Sequence, residues 1–139
     1  MPLPPRLPGN TSERIPALMP RGTGYQFIVY GDACSGVPGR LHERTLAAVN
    51  AIVRRLSPPP EFILFTGDEI IGLTADPEEL RAQWHHWLIH EMGWLDRQTI
   101  PIWHATGNHT TYNEMSESMF RHVLNMPRNG PLGQEGLSY

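Results

Sequence analysis

Three short apolar stretches alternate along the chain with longer amphipathic segments. The stretches are YQFIVYGD (25–32), EFILFTGDE (61–69) and TIPIWHATGNH (99–109). Their β-branched and aromatic residues are typical of buried strands, and each stretch ends in glycine with polar residues. The pattern predicts three strands that each finish in a polar turn.

The first segment between these stretches has the period of a helix. Apolar positions recur every three or four residues over 40–56, which predicts a helix with one inward stripe. Ser57 and the prolines after it end this helix, because proline lacks the N–H group that a helix needs. The stripe contains His42, Leu46, Val49, Val53 and Leu56.

The second segment predicts a longer helix over 74–98. Asp76 is a favourable N-cap, Pro77 suits the first turn, and Glu79 stands close to the position that completes a capping box. We expect the tryptophans of this helix to pack against the sheet. A third helix is predicted over 114–125. The apolar face of the second helix contains Leu80, Trp84, Trp87, Leu88 and Leu95.

The order of these elements is strand, helix, strand, helix, strand, which predicts an α/β fold. Each connection is long enough for a βαβ unit, so the strands are expected to be parallel with right-handed crossovers. Residues 1–23 are rich in proline and polar residues and predict a poorly ordered lead-in. The domain itself is expected over residues 24–139.

Composition and charge narrow the function classes. The 139 residues suffice for one small domain, and 40% are hydrophobic, as in ordinary globular proteins. The net charge is −3 and no basic run occurs, so the chain carries no nucleic-acid-binding signature. No signal peptide or membrane span is visible, which favours a cytoplasmic location without fixing the compartment. The oligomeric state stays open.

The candidate chemistry lies at the three strand ends. Parallel strands share a direction, so their carboxyl ends meet at one edge of the sheet, where open α/β sheets bind ligands. Asp32, Asp68, Asn108 and His109 would converge there. Crowded carboxylates repel unless a cation separates them, and oxygen with imidazole nitrogen suits divalent metals. Either Asp alone could simply cap a turn, but two Gly-Asp ends together with GNH favour a metal site.

The stretches FIVYGDAC, FILFTGDEI and HATGNHT resemble the first three motifs of the calcineurin-like metallophosphoesterases. The resemblance covers about residues 25–139. It implies a partial metallophosphoesterase fold, the βαβαβ parallel-sheet portion of a four-layer α/β/β/α sandwich. It also implies a phosphoric ester hydrolase that uses two divalent metal ions, whether Mn, Fe, Zn or Mg. The phosphate-ester substrate itself is not specified.

The resemblance implies a role for each residue that matches a motif. Asp32 would bind the first metal and Asp68 would bridge both metals. Asn108 would bind the second metal through its amide oxygen. His109 would face the substrate phosphate, either as a general acid or to stabilise charge in the transition state.

The chain departs from the family pattern at two positions. Cys34 replaces the histidine of the first motif; it could be a thiolate ligand, but a small buried residue is the commoner case. His42 could compensate from the start of the first helix, or be a satisfied histidine without that role. Thr110 replaces an acidic residue that orients the preceding histidine, which weakens the case for His109 as an acid.

The family's C-terminal metal-binding histidines are not matched, because no histidine follows His122. We therefore expect a truncated N-terminal half of a longer enzyme. The alternative is a degenerate, non-catalytic domain that binds phosphate or a partner, and a flavodoxin-like domain shares the same element order.

Three further residues have polar side chains whose role the sequence leaves open. His86 and His90 have a spacing that can hold zinc on a helix, but no third ligand lies nearby in sequence. A solvated or interfacial face is the better interpretation of this pair. Glu69 could line the metal site or lie on the surface.

Overall fold

The computed structural model describes residues 26–138, and the predicted lead-in over 1–23 lies outside the described residues. The predicted alternation of strands and helices is confirmed. Among the helices of residues 26–138, none is long and apolar enough to cross a lipid bilayer. The elements are β1 (Ile28–Tyr30), α1 (Leu41–Val53), β2 (Ile63–Phe65), α2 (Pro77–His86), β3 (Ile102–His104) and α3 (Glu114–Leu124).

The three strands form one parallel sheet in the order β1-β2-β3. In this register Ile28 lies opposite Ile63, and Ile63 lies opposite Ile102. Each strand is only three residues long, shorter than the apolar stretch that predicted it. The predicted parallel α/β sheet is therefore confirmed in its order and direction. The finer sandwich architecture stays a prediction.

The core lies on one face of this sheet and is rich in aromatic rings. Phe65 of β2 packs edge-on against Trp87 with ring centres 5.6 Å apart. Trp84 in turn contacts Trp87 at 6.0 Å and Phe120 of α3 at 6.2 Å, also edge-on. These geometries are the favourable ones for aromatic pairs. They confirm that tryptophans of the second helical segment pack against the sheet.

The opposite face of the sheet is much more open. Val29, Leu64 and Trp103 are register partners across the three strands and are 53%, 36% and 40% exposed. Their neighbours Ile63 and Phe65 are 0% and 1% exposed. Parallel sheets are usually covered on both faces. Within residues 26–138, therefore, an apolar row crosses the less covered face.

The second helical segment is shorter than predicted and ends irregularly. After α2 the chain forms a π-helical turn, Trp87–Glu91. Gly93 then follows where a side chain could not fit, because a Cβ atom would lie 2.2 Å from the Ile89 carbonyl oxygen. The predicted helix over 74–98 is therefore too long at its carboxyl end.

The start of α2 matches the sequence only in part. Asp76 is the N-cap, as predicted, and its carboxylate accepts the backbone N–H groups of Glu78 and Glu79. Only half of the predicted capping box forms, because the Glu79 carboxylate does not accept the Asp76 N–H. The Asp76 N–H donates to the Thr74 hydroxyl, which itself donates to the Glu79 carboxylate at 2.7 Å.

The two faces of β2 should respond differently to truncation. We expect Phe65→Ala to lower the free energy of unfolding by about 3–5 kcal/mol, because it opens a cavity among the core rings. Leu64→Ala, one residue away on the open face, is expected to cost about 1 kcal/mol or less. Urea denaturation of both variants measures the difference, and equal losses would contradict the assignment of the faces.

Candidate metal centre

The loops after β1 and β2 run side by side beyond the ends of their strands. Because both loops stay in register, the side chains of Asp32 and Cys34 are brought beside Asp68. Three backbone hydrogen bonds hold them, from Asp32 N to Gly67 O (2.9 Å), from Cys34 N to Asp68 O (2.7 Å) and from Ser35 N to Glu69 O (3.1 Å).

The loop after β3 closes onto the same carboxylate. The backbone N–H of His109 donates to Asp68 Oδ1 at 2.8 Å. A Cβ atom on Gly107 would lie 1.9 Å from this oxygen, so the carboxylate fills the space that a side chain would need. The glycine of the GNH stretch is thus explained by the close approach of Asp68.

The side chains of three residues form a compact group of possible ligands. The donor atoms of Cys34, Asp68 and His109 all lie within 4.8 Å of one another. Asp32 Oδ1 lies 3.6 Å from Cys34 Sγ and accepts its hydrogen bond. The structure therefore brings the predicted residues Asp68 and His109 together with Cys34, and Asp32 contacts the Cys34 thiol.

Asn108 and His42 lie at the margin of this group. Asn108 is exposed on the turn that precedes His109. His42 is also exposed, and its Nδ1 lies 2.8 Å from the Cys34 carbonyl oxygen. A carbonyl only accepts, so Nδ1 carries the hydrogen and His42 steadies the loop backbone. Metal ligation by Asn108 stays a prediction, as does any ligand role of His42.

Three residues of the centre adopt the left-handed backbone conformation. The φ angles are 55° at Asp32, 42° at Cys34 and 53° at Asp68. This conformation costs non-glycine residues about 1–2 kcal/mol each, although Asp tolerates it better than most. Such strain concentrates at functional sites, where the surrounding structure enforces it.

The surroundings of Cys34 oppose loss of its proton. Partial burial, the neighbouring charges of Asp32 and Asp68, and the hydrogen bond to Asp32 together raise the pKa of the Cys34 thiol to about 11. The residue is only half-buried, so it is not the small core residue that its type suggested. A cation between these groups would favour the thiolate instead, since it would offset both carboxylates.

The imidazole of His109 has one fixed hydrogen. Its Nδ1 lies 2.6 Å from the carbonyl oxygen of Ile71, so Nδ1 donates and Nε2 remains for a ligand. Thr110 does not take this orienting role: it is fully buried, and its hydroxyl bonds with the backbone of Gly107. The sequence gives no signal for Ile71, because the partner is a backbone atom.

A buried pair lies behind the centre. His104 Nδ1 is 2.8 Å from Glu69 Oε1, and both side chains are fully buried. Burial raises the pKa of the Glu69 carboxyl group, and the hydrogen bond and charge of His104 oppose this shift. Glu69 thus lies in the interior facing β3, which corrects the expectation of a surface or site-lining position.

The left-handed conformation of Cys34 predicts a difference between two small substitutions. Glycine adopts this conformation without steric cost and alanine does not, so we expect Cys34→Gly to be more stable than Cys34→Ala by about 1 kcal/mol. Urea denaturation without metal measures the difference. An alanine variant as stable as the glycine variant would show that the loop is not strained there.

The raised pKa of Cys34 predicts slow reaction with an aromatic disulfide reagent in EDTA. At pH 8 the thiolate fraction is far below that of an ordinary cysteine, so we expect the folded chain to react about 20-fold more slowly, allowing for the greater nucleophilicity of a more basic thiolate. The rate should keep rising towards pH 11. The same thiol in urea is the control, and a plateau near pH 8.5 in the folded chain would contradict the shift.

Comparisons place no known protein beside this geometry. The chain matches no protein-family model, no curated protein and no solved structure.

Proposed function

We propose that this chain is a metal-dependent phosphoric ester hydrolase of the kind that its three motifs resemble. The observation that carries the proposal is the meeting of three strand-end loops at one edge of a parallel sheet. There the donor atoms of Cys34, Asp68 and His109 lie within 4.8 Å of one another, and Asp32 contacts the thiol. The resemblance itself rests on the motifs alone.

The donor set fits divalent cations. The Cys34 thiol donates a hydrogen bond to Asp32, and donor atoms of Asp68 and His109 lie within 4.8 Å of the sulfur, so two carboxylates and an imidazole surround one thiol. Oxygen and nitrogen donors with one sulfur suit zinc or iron better than magnesium or manganese. When bound, such cations would neutralise charge on a phosphate and supply a nucleophile from water at neutral pH.

The protein groups have distinct tasks in this proposal. Asp68 is held by the backbone N–H of His109, which fixes one oxygen and leaves the carboxylate able to bridge two ions. Asp32 lies on the more exposed side of the group. His109 presents Nε2 towards the phosphate, where it stabilises developing charge or gives a proton to the leaving oxygen.

A second candidate is a non-catalytic domain that binds phosphate or a partner. The hydrogen-bond partner of His109 favours it, since a carbonyl supports an imidazolium less well than the carboxylate that the family uses. The small number of possible metal ligands at this edge also favours a non-catalytic domain. Within residues 26–138 the compact ligand group at this edge consists of Cys34, Asp68 and His109, with Asp32 in contact with the thiol, and these are few ligands for two ions.

Hydrolysis of a generic aryl phosphate in the presence of Zn²⁺, Fe²⁺, Mn²⁺ or Mg²⁺ tests the proposal. We expect turnover that chelation abolishes. Asp68→Asn should lower kcat/KM by at least about 100-fold. The substitution removes a carboxylate that would bind the cations, and such cations stabilise the transition state by several kcal/mol. Asp96→Asn, the same change at an exposed turn away from the centre, should leave activity intact.

The two candidates predict different results in this assay. Metal-stimulated turnover that Asp68→Asn removes would support the hydrolase. Phosphate binding without turnover under every metal would support the non-catalytic domain. Equal activity in the Asp68 and Asp96 variants would overturn the proposed centre.

A further inference from the structure

A second group of possible metal ligands lies away from the sheet edge. It consists of Glu43 in α1, His86 at the end of α2 and Glu91 in the π-helical turn. Their donor atoms all lie within 4.8 Å of one another. The sequence showed no further ligand near His86 and His90. The structure supplies two beside His86, Glu43 from α1 and Glu91 from the π-helical turn.

The imidazole of His86 stands between two carboxylates. Its Nε2 lies 2.7 Å from Glu43 Oε1 and 4.0 Å from Glu91 Oε1. One imidazolium balances only one of these two charges. A divalent cation at this position would balance both, and it would replace a hydrogen bond with two or three ligand bonds.

Backbone groups hold both carboxylates in place before any ion binds. Glu43 Oε2 accepts the N–H of Gly39 at 2.6 Å, which together with His86 keeps the pKa of this carboxyl low. Glu91 Oε2 accepts the N–H of Gly36 at 3.0 Å, and the Ser35 hydroxyl donates to Oε1. Such outer contacts orient metal ligands in known sites.

The π-helical turn is what places Glu91 beside His86. In an α-helix, residues five apart point about 140° away from each other around the axis. Here the Met92 N–H donates to Trp87 O at 2.8 Å, an i→i+5 bond that widens the turn. Residues 86 and 91 consequently share a face. Turns of this kind are frequent at functional sites.

The group is accessible to an ion from solvent. The side chains of Glu43, His86 and Glu91 are 28%, 16% and 4% exposed. Grooves of about 600 Å³ and about 400 Å³ border the group from two sides, and His90 lines both of them. The His90 ring centre is 5.0 Å from that of His86, so His90 can approach a fourth position.

We propose that Glu43, His86 and Glu91 bind a divalent cation of the zinc class, with His90 or water as the fourth ligand. One imidazole and two carboxylates form a donor set of the kind that zinc uses, and the openness of the group leaves room for water. This site is separate from the sheet-edge centre and does not depend on phosphoesterase activity.

Zinc titration of four chains tests this site: the wild type, His86→Gln, Glu43→Gln and the control His85→Gln. His85 is exposed on the same helix and outside the ligand group. We expect His86→Gln and Glu43→Gln each to lose one bound Zn²⁺ per chain, or to weaken it at least 10-fold. His85→Gln should bind as the wild type does. With cobalt(II) in place of zinc, the part of the visible spectrum that His86→Gln removes should lack a thiolate charge-transfer band, because Cys34 belongs to the other group.

The same titration in an Asp68→Asn background separates the two sites. If only the sheet-edge centre fails, one ion still binds and His86→Gln removes it. Zinc binding that is unchanged in His86→Gln and Glu43→Gln, or that falls equally in His85→Gln, would overturn the site. Circular dichroism of each variant checks that its helices are retained. If His86→Gln loses helix together with zinc, the Glu43→Gln variant decides, because it changes a partly exposed side chain of α1.

Discussion

The candidate centre depends on backbone pairing that continues past the ends of β1 and β2. With the bond from Ile71 N to Ser35 O included, four hydrogen bonds between the two loops contribute about 1 kcal/mol each, and the bond from His109 to the Asp68 carboxylate contributes about 2 kcal/mol. Left-handed backbone at Asp32, Cys34 and Asp68 costs about 1–2 kcal/mol each. These amounts nearly cancel, so the loops hold their shape because the aromatic core fixes the sheet beneath them.

This balance also explains the chemistry at the edge of the sheet. Partial burial of Cys34 and the nearby charges of Asp32 and Asp68 disfavour the thiolate and raise the pKa of the thiol. A bound cation would be attracted by the Asp32 and Asp68 carboxylates and would favour the thiolate form of Cys34. The left-handed backbone and the crowding of Asp32, Cys34 and Asp68 are the observations that support the proposed metal site.

The sequence could predict the order of the elements and the proximity of Asp68 and His109. Both follow from periodicity and from the direction of parallel strands, which are local properties of the chain. The Ile71 carbonyl that fixes His109 could not be predicted, because any residue supplies such an atom. The partnership of Glu69 with His104 was also out of reach, since it depends on which face of the strand a side chain enters.

The second ligand group shows a different limit. His86 and His90 were visible as a pair, but Glu91 joins them only through the π-helical turn, and no residue pattern in that segment announces an extra residue per turn. Glu43 arrives from another helix altogether, through long-range packing. Periodicity therefore found the helix and its apolar face, but not the π-helical turn at its carboxyl end.

The two groups are joined by one short piece of chain. Cys34 belongs to the sheet-edge group, and the next two residues, Ser35 and Gly36, hydrogen-bond to the Glu91 carboxylate. Ser35 also pairs with the β2 loop through its backbone, so it cannot move without disturbing both sides. A shift of Glu91 towards a cation would pull on the same backbone that sets the conformation of Cys34. A change in the position of Glu91 is consequently expected to change the backbone conformation at Cys34, and the reverse.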